Sequence, residues 1–190
     1  NTRTISREVR KGCVDAFEFY GELYRSWRPH SIGFDDVCTA YKDRQYVTQR
    51  PHQSIPFHTV HDGSAMGGAF GLGVGARAAD PSLHTFVFSG DGCWRLFGGG
   101  LAEAANIGMN LFIVNNGTYA IVDKGLEVVI PDVDKGRYHG KLAPTDFVAA
   151  AKAQGWDGLR FPADLGNLAG NLHPCPRESG QTPRAPGPTN

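Results

Sequence analysis

Short apolar blocks alternate along this chain with glycine-rich turns and with stretches whose apolar residues recur every three or four positions. Val9, Cys13, Ala16, Phe17, Tyr20 and Tyr24 follow that spacing, with Arg7, Glu8, Lys11, Asp15 and Glu22 between them. This predicts a helix over residues 4–26, which Pro29 ends. Residues 31–37 and 46–49 read as short strands. After a turn at Gly63, a small-residue helix is expected over 67–79, closed by Asp80-Pro81. The blocks at 83–88 and 110–115 are almost wholly apolar, as parallel strands covered on both faces should be, and a helix over about 96–107 fits between them. A further amphipathic helix at 146–154 and a last strand at 159–161 complete the pattern. Alternating strands and helices predict a doubly wound α/β fold, a mostly parallel sheet with helices on both faces. Ligands in such folds gather at the carboxyl ends of the strands.

Composition narrows the classes. A chain of 190 residues can bury one sizeable core, so residues 1–170 are expected to form one domain. From His173 onward, Pro174, Pro176, Pro183, Pro186 and Pro188 stand among polar residues, so 171–190 read as an extended or disordered proline-rich tail. Nineteen basic and nineteen acidic residues cancel. No basic stripe points to nucleic acid, and no apolar run approaches the ~20 residues of a membrane span. Cys13, Cys38, Cys93 and Cys175 show no paired ligand spacing, which argues against zinc or iron–sulfur sites and for reduced thiols in a cytoplasmic protein. No signal peptide is visible, and a first residue of Asn1 instead of Met is expected of a fragment or a trimmed chain.

The chemistry concentrates where two of the apolar blocks end. One runs into Ser89-Gly90-Asp91-Gly92-Cys93, and the other into Asn115-Asn116-Gly117, with 25 positions from Asp91 to Asn116. Strand, tight turn, helix and strand would deliver one carboxylate and one carboxamide to neighbouring strand ends. Two oxygen donors of modest charge, beside glycine amides that a polyanion can approach, suit Mg2+ held jointly with a diphosphate. A turn and an unrelated strand end are the bland alternative.

These residues resemble the fingerprint of the thiamine diphosphate enzymes, which opens with Gly-Asp-Gly and closes with an Asn pair about this far downstream. Gly63-Ser64-Ala65-Met66-Gly67 is similar to the Gly-x-Met-Gly segment of the acetohydroxyacid-synthase and pyruvate-decarboxylase branch, and the likeness covers about residues 55–160. It implies the thiamine diphosphate-binding fold, here as the diphosphate-binding domain. Asp91, the side chain of Asn116 and the backbone oxygen of Thr118 would hold Mg2+. The cofactor would touch Ser64, Ala65, Met66, Gly90, Asp91, Gly92, Cys93, Asn116, Thr118, Tyr119 and Ala120. Met66 would prop it in a bent shape, and the helix expected after Cys93 would aim its amides at the diphosphate. His58 and His61, just ahead of the motif, are weak candidates for proton transfer, with a solvated or structural histidine as the default. Trp94 is expected to pack, and Glu103 to face either solvent or a neighbouring chain. Three glycines, Gly98-Gly99-Gly100, depart from the family pattern and would be explained by close approach of another backbone.

The resemblance implies an enzyme, a lyase or transferase, that cleaves or forms C–C bonds next to a 2-oxo group. Its members include 2-oxo acid decarboxylases, acetolactate-synthase-like carboligases and diketone hydrolases. The catalytic glutamate of such enzymes comes from a pyrimidine-binding domain, and nothing here resembles one. The chain is therefore expected to need that partner, in the same polypeptide or a second subunit, and to work as a homodimer or homotetramer. FAD is present in some members. Two alternatives stand beside this reading. One is the small subunit of a 2-oxoacid:ferredoxin oxidoreductase, disfavoured by the missing cluster cysteines; the other is a non-catalytic assembly module, disfavoured by the intact Asp91 and Asn116.

Overall fold

Four parallel strands carry the fold in the computed structural model of the chain, which describes residues 9–48, 56–60, 65–166 and 168–172. They are β1 (Ser31–Asp35), β2 (Phe57–Thr59), β3 (His84–Gly90) and β4 (Asn110–Val114), in the order β2-β1-β3-β4. Gly33 pairs with Phe86, and Phe88 with Phe112, so the carboxyl ends of β1, β3 and β4 lie side by side. Every residue of β3 is buried, because helices cover both faces of the central strand. The doubly wound α/β architecture expected from the sequence is the one observed.

Side chains alternate along each strand, so the two faces build two cores. On one face, Phe86, Phe88 and Phe112 pack with Phe19, Tyr20 and Leu23 of α1 (Ala16–Arg25) and with Val47 of α2 (Ala40–Thr48). The rings of Phe88 and Phe112 stack 5.3 Å apart, and Phe19 meets Phe112 edge-on. On the other face, Phe34 and Val87 pack with Ala69 and Phe70 of α3 (Gly68–Ala79) and with Trp94 of α4 (Asp91–Phe97). Phe147 and Ala150 of α6 (Phe147–Lys152) join the second core. Gln154 donates to the Gly98 carbonyl and the Trp156 indole to that of Leu101, fastening the segment after α6 to the chain beyond α4.

Several expectations are corrected. Of the helix expected over 4–26, residues 9–15 are not helical and α1 begins at Ala16, with Val9 and Cys13 exposed; residues 4–8 lie outside the described residues. Gly12 takes a positive φ and Asp15 caps the helix by accepting from the Phe17 amide, so the chain turns where the apolar spacing suggested continuity. The segment around 46–49 is helical as far as it is described, being the end of α2, with Arg44 pinned against Asp35. The helix placed at 96–107 starts five residues earlier, at Asp91, and passes at Gly98 into a 3-10 helix that runs to Ala104. The glycine run explains that change. A side chain at Gly98 would overlap the Trp94 indole at 2.6 Å, so the close neighbour is a side chain and not a backbone, while Gly99 and Gly100 face open space. No strand forms at 159–161: Leu159 is exposed and Phe161 packs instead against the aromatic core.

α5 (Ala120–Val129) had no counterpart in the sequence reading. It buries none of its residues, and Val128 is 82% and Val129 77% exposed. From residue 173 on, the tail lies outside the described residues.

Candidate functional site

The carboxyl ends of β1, β3 and β4 each finish in polar residues: Asp35-Asp36, Gly90-Asp91 and Asn115-Asn116. Asp91 opens α4, directly after β3, and is almost wholly buried. Its Oδ1 accepts from the Gly92 amide at 3.0 Å and its Oδ2 from the Gly117 amide at 2.7 Å. The second bond spans neighbouring strand ends, so the Gly-Asp-Gly and Asn-Asn-Gly turns are tied together by the carboxylate itself. Among the described residues Asp91 has no ion-pair partner.

Asn116 is exposed, and its Oδ1 accepts from the Thr118 amide at 3.0 Å, a local turn that leaves a second lone pair on that oxygen. The Gly117–Tyr119 stretch is clamped from beyond α5. The amide of Tyr119 and the hydroxyl of Thr118 both donate to the Gly140 carbonyl, and the Leu142 amide donates to Gly117. That clamp was invisible in the sequence. Ala120 follows as the first residue of α5, its amide donating to the Thr118 carbonyl.

Met66 and Tyr119 reach the same place from two directions. A Cβ added at Gly92 would lie 2.6 Å from the Tyr119 ring and 3.5 Å from the Met66 methyl. Glycine there lets both side chains close over the start of α4. Gly67, with φ of 85°, makes the left-handed turn that carries Met66 into α3 and packs against Phe97 and Leu96. Ala65 is exposed at the start of that turn. Ser64 and His61 lie outside the described residues. His58 is exposed on β2, stacked on Phe34, and β1 stands between its strand and that of Asp91.

Cys93 is buried, with its thiol donating to the Val37 carbonyl at 3.2 Å. Burial, and after it the charge of Asp36, push that thiol up to about 11. Burial likewise pushes Cys38 up to about 12. A thiol raised in this way favours its protonated form at neutral pH, which argues against Cys93 as a nucleophile. Trp94 is buried between Phe97 and Phe147 as expected, and Glu103 is exposed.

One residue in this cluster escaped the sequence reading. Asp36 is wholly buried, and its carboxylate accepts from the amides of Val37 and Gly67 and from the Ser89 hydroxyl. An acidic residue at a core-facing position one step past a strand was the available signal. A hollow of about 660 Å³ between α1 and residues 164–169 is lined by no residue expected at the site.

The family described as "Thiamine pyrophosphate enzyme, C-terminal TPP binding domain" matches residues 38–173. Among solved structures, the chain resembles a Rhodococcus jostii RHA1 thiamine diphosphate-dependent 4-hydroxybenzoylformate decarboxylase, with a TM-score of 0.65 and 19% identity. The likeness covers 82% of this chain and 29% of that one, so the chain spans under a third of its structural neighbour. Comparison with curated proteins gives no match.

Proposed function

The chain belongs to the thiamine pyrophosphate enzymes through their C-terminal TPP-binding domain, and from that premise we propose that it binds the diphosphate through Mg2+ in an enzyme that cleaves or forms a C–C bond beside a 2-oxo group. The observation that carries the Mg2+ reading is the buried Asp91 carboxylate, held by two glycine amides and by no cation among the described residues. A carboxylate so placed keeps lone pairs free, and a divalent cation offsets the cost of burying its charge. Asn116 through its side-chain oxygen and Thr118 through its carbonyl would complete the protein's share of the ligands. That donor set of one carboxylate and two neutral oxygens suits a hard cation that also takes diphosphate oxygens.

The bound cofactor would supply a carbon acid whose conjugate base adds to the substrate carbonyl and takes up the electron pair of the breaking bond. The protein's own task is placement. Gly90 and Gly92 would let the backbone approach the diphosphate, with Cys93, Tyr119 and Ala120 near them in the chain or in space; Ser64, which would also touch the cofactor, lies outside the described residues. Met66, lying against Gly92, would support the cofactor in its bent shape, with the Ala65 backbone beside the pyrimidine. A pyrimidine-binding domain would bring the catalytic glutamate. The bare apolar surface of α5, directly after Thr118, supports a partner on this side of the site. A 2-oxo acid substrate is favoured by the likeness of Gly63-Ser64-Ala65-Met66-Gly67 to the Gly-x-Met-Gly segment and by a structural neighbour named as a decarboxylase.

The test is titration of thiamine diphosphate into the complete enzyme, with and without Mg2+. Asp91→Ala should weaken binding by at least ~100-fold and abolish its Mg2+ dependence, with the circular dichroism spectrum unchanged. Unchanged affinity in that variant would remove the assignment. Mass spectrometry of the native assembly would show whether FAD and a pyrimidine-binding domain accompany the chain.

A further inference from the structure

We propose that Asp36 is a positioning residue that sets the Met66 shelf against the Gly-Asp-Gly turn, an inference that rests on the cofactor reading above. The Asp36 amide donates to the Phe88 carbonyl at 2.8 Å, which registers the end of β1 on β3. Its carboxylate then reaches two further segments. Oδ1 accepts from Val37 and Gly67, both at 2.9 Å, and Oδ2 accepts from Gly67 at 3.1 Å and from the Ser89 hydroxyl at 2.7 Å. Gly67 follows Met66, and Ser89 lies two residues before Asp91. One buried side chain therefore fixes the residue that would support the cofactor's ring relative to the residue that would hold its diphosphate.

The chemistry explains why the position is acidic. The groups facing the carboxylate, the amides of Val37 and Gly67, the Ser89 hydroxyl and the Cys93 thiol, are donors, and only a carboxylate can accept at both of its oxygens. No cation among the described residues pairs with Asp36, so amide and hydroxyl dipoles carry its charge. The arrangement is rigid on both sides. Gly67 sits in a left-handed turn against α4, and Ser89 is fully buried in the central strand. Asparagine could still accept from Gly67 through one oxygen while presenting its amino group to Ser89, whose hydroxyl can turn to accept. Alanine offers nothing. The Gly67 amide, and with it Met66, would then be free to shift.

Asp36→Ala, Asp36→Asn and Ser89→Ala in the complete enzyme separate positioning from simple stability. Hydrogen exchange over residues 65–68 of the cofactor-free protein should rise about tenfold in Asp36→Ala and little in Ser89→Ala. With thiamine diphosphate bound, exchange of its thiazolium C2 proton should slow about tenfold in Asp36→Ala, while the dissociation constant moves by less than about threefold. Asp36→Asn should recover only part of the C2 rate, leaving it a few-fold below wild type, since its oxygen still takes the Gly67 amide while its second acceptor is lost. If Asp36→Ala does not fold, Asp36→Asn carries the test, with a C2 rate reduced a few-fold at an unchanged melting temperature. A C2 rate equal to wild type in folded Asp36 variants, with only the melting temperature lowered, would overturn the proposal. Wild-type protein that takes up no thiamine diphosphate would instead overturn the cofactor reading, and the Gly67 exchange would still report on the Asp36 anchor.

Discussion

Asp35 and Asp36 are neighbours at the end of one strand, both fully buried, and they treat their charge in opposite ways. Asp35 faces the aromatic core, where the Arg44 guanidinium of α2 pairs with it and lies 4.0 Å over the Phe57 ring. Asp36 faces the other core and meets two amides, the Ser89 hydroxyl and the Cys93 thiol, with no cation among the described residues. The first arrangement closes a fold, since a buried charge is neutralised by a partner from a neighbouring helix. The second leaves an uncompensated anion beside Gly-Asp-Gly, where it orders the loops that would receive a cation and a cofactor. Large rings interlock on both faces, but Asp35 is held by a helix side chain, whereas Asp36 is held by the Gly67 turn, Ser89 and Cys93. The first acid ties a helix to the sheet, and the second ties together two turns of the site.

The strongest way to break this contrast is to strip Asp35 of its partner. Arg44→Ala should cost about 3–5 kcal/mol of unfolding free energy, read as a shift of the urea midpoint, because it leaves a buried carboxylate without its cation. The folded fraction of that variant should still bind thiamine diphosphate and Mg2+ with near wild-type affinity. Replacing the pair together, Asp35→Asn with Arg44→Met, should recover much of the loss. A midpoint that hardly moves in Arg44→Ala would mean that the pair does not hold α2, and the contrast with Asp36 would collapse.

A smaller effect is expected on the site face. In Gly92→Ala the new methyl must displace the Tyr119 ring, which stands 2.6 Å away. Tyr119 is tied to Gly140 through its own amide, so the ring and not the backbone has to move. The expected outcome is about tenfold weaker binding of thiamine diphosphate by calorimetry, with a melting temperature within a few degrees of wild type. Adding Tyr119→Ala should return part of the affinity, because the obstruction goes with the ring. If the double variant binds no better than Gly92→Ala, the close approach at Gly92 serves something other than Tyr119.

The two faces also differed in how far the sequence revealed them. β1, β3 and β4 were legible because an apolar run between turns has few other uses in a short α/β chain, and the fold class followed from their order. Asp91 and Asn116 were legible because the local chain displays them, each at the end of such a run. Asp36 was not, since its partners Gly67 and Ser89 lie 31 and 53 positions away and no local pattern announces them. The clamp of Gly140 on Thr118 spans 22 positions and was hidden for the same reason. α2 and α5 escaped because tertiary contacts, or surfaces left uncovered, decide their packing more than the spacing of their own apolar residues does. The misplaced start of the first helix was a local error, for Gly12 and Asp15 were readable as a turn and a cap.

The smallest effect concerns two thiols that feel the charge of these acids, Cys38 that of Asp35 and Cys93 that of Asp36. Burial holds Cys93 and Cys38 up to about 11 and about 12, from an ordinary value of 9.0, and Tyr20 is likewise raised well above its ordinary range by burial. A group whose neutral form is favoured by folding supports the native state fully below its unfolded value and loses that support as pH climbs toward its folded value. Stability should therefore hold up to about pH 9 and decline between about pH 9 and 12, the reverse of the acid-side loss expected of a salt-bridged carboxylate. At pH 8, iodoacetamide should modify the exposed Cys13 and leave Cys93 and Cys38 largely unlabelled, as peptide mapping by mass spectrometry would show. Because the charge of Asp36 is the second cause holding up Cys93, Asp36→Asn should make the Cys93 thiol easier to ionise, and its labelling at pH 9–10 should rise. Asp35→Asn should change Cys93 labelling much less, since that carboxylate is not among the leading causes of its shift. Equal labelling of Cys93 in the two variants would mean that the two faces of the sheet are not electrostatically distinct, and that the difference between the neighbouring acids is one of packing alone.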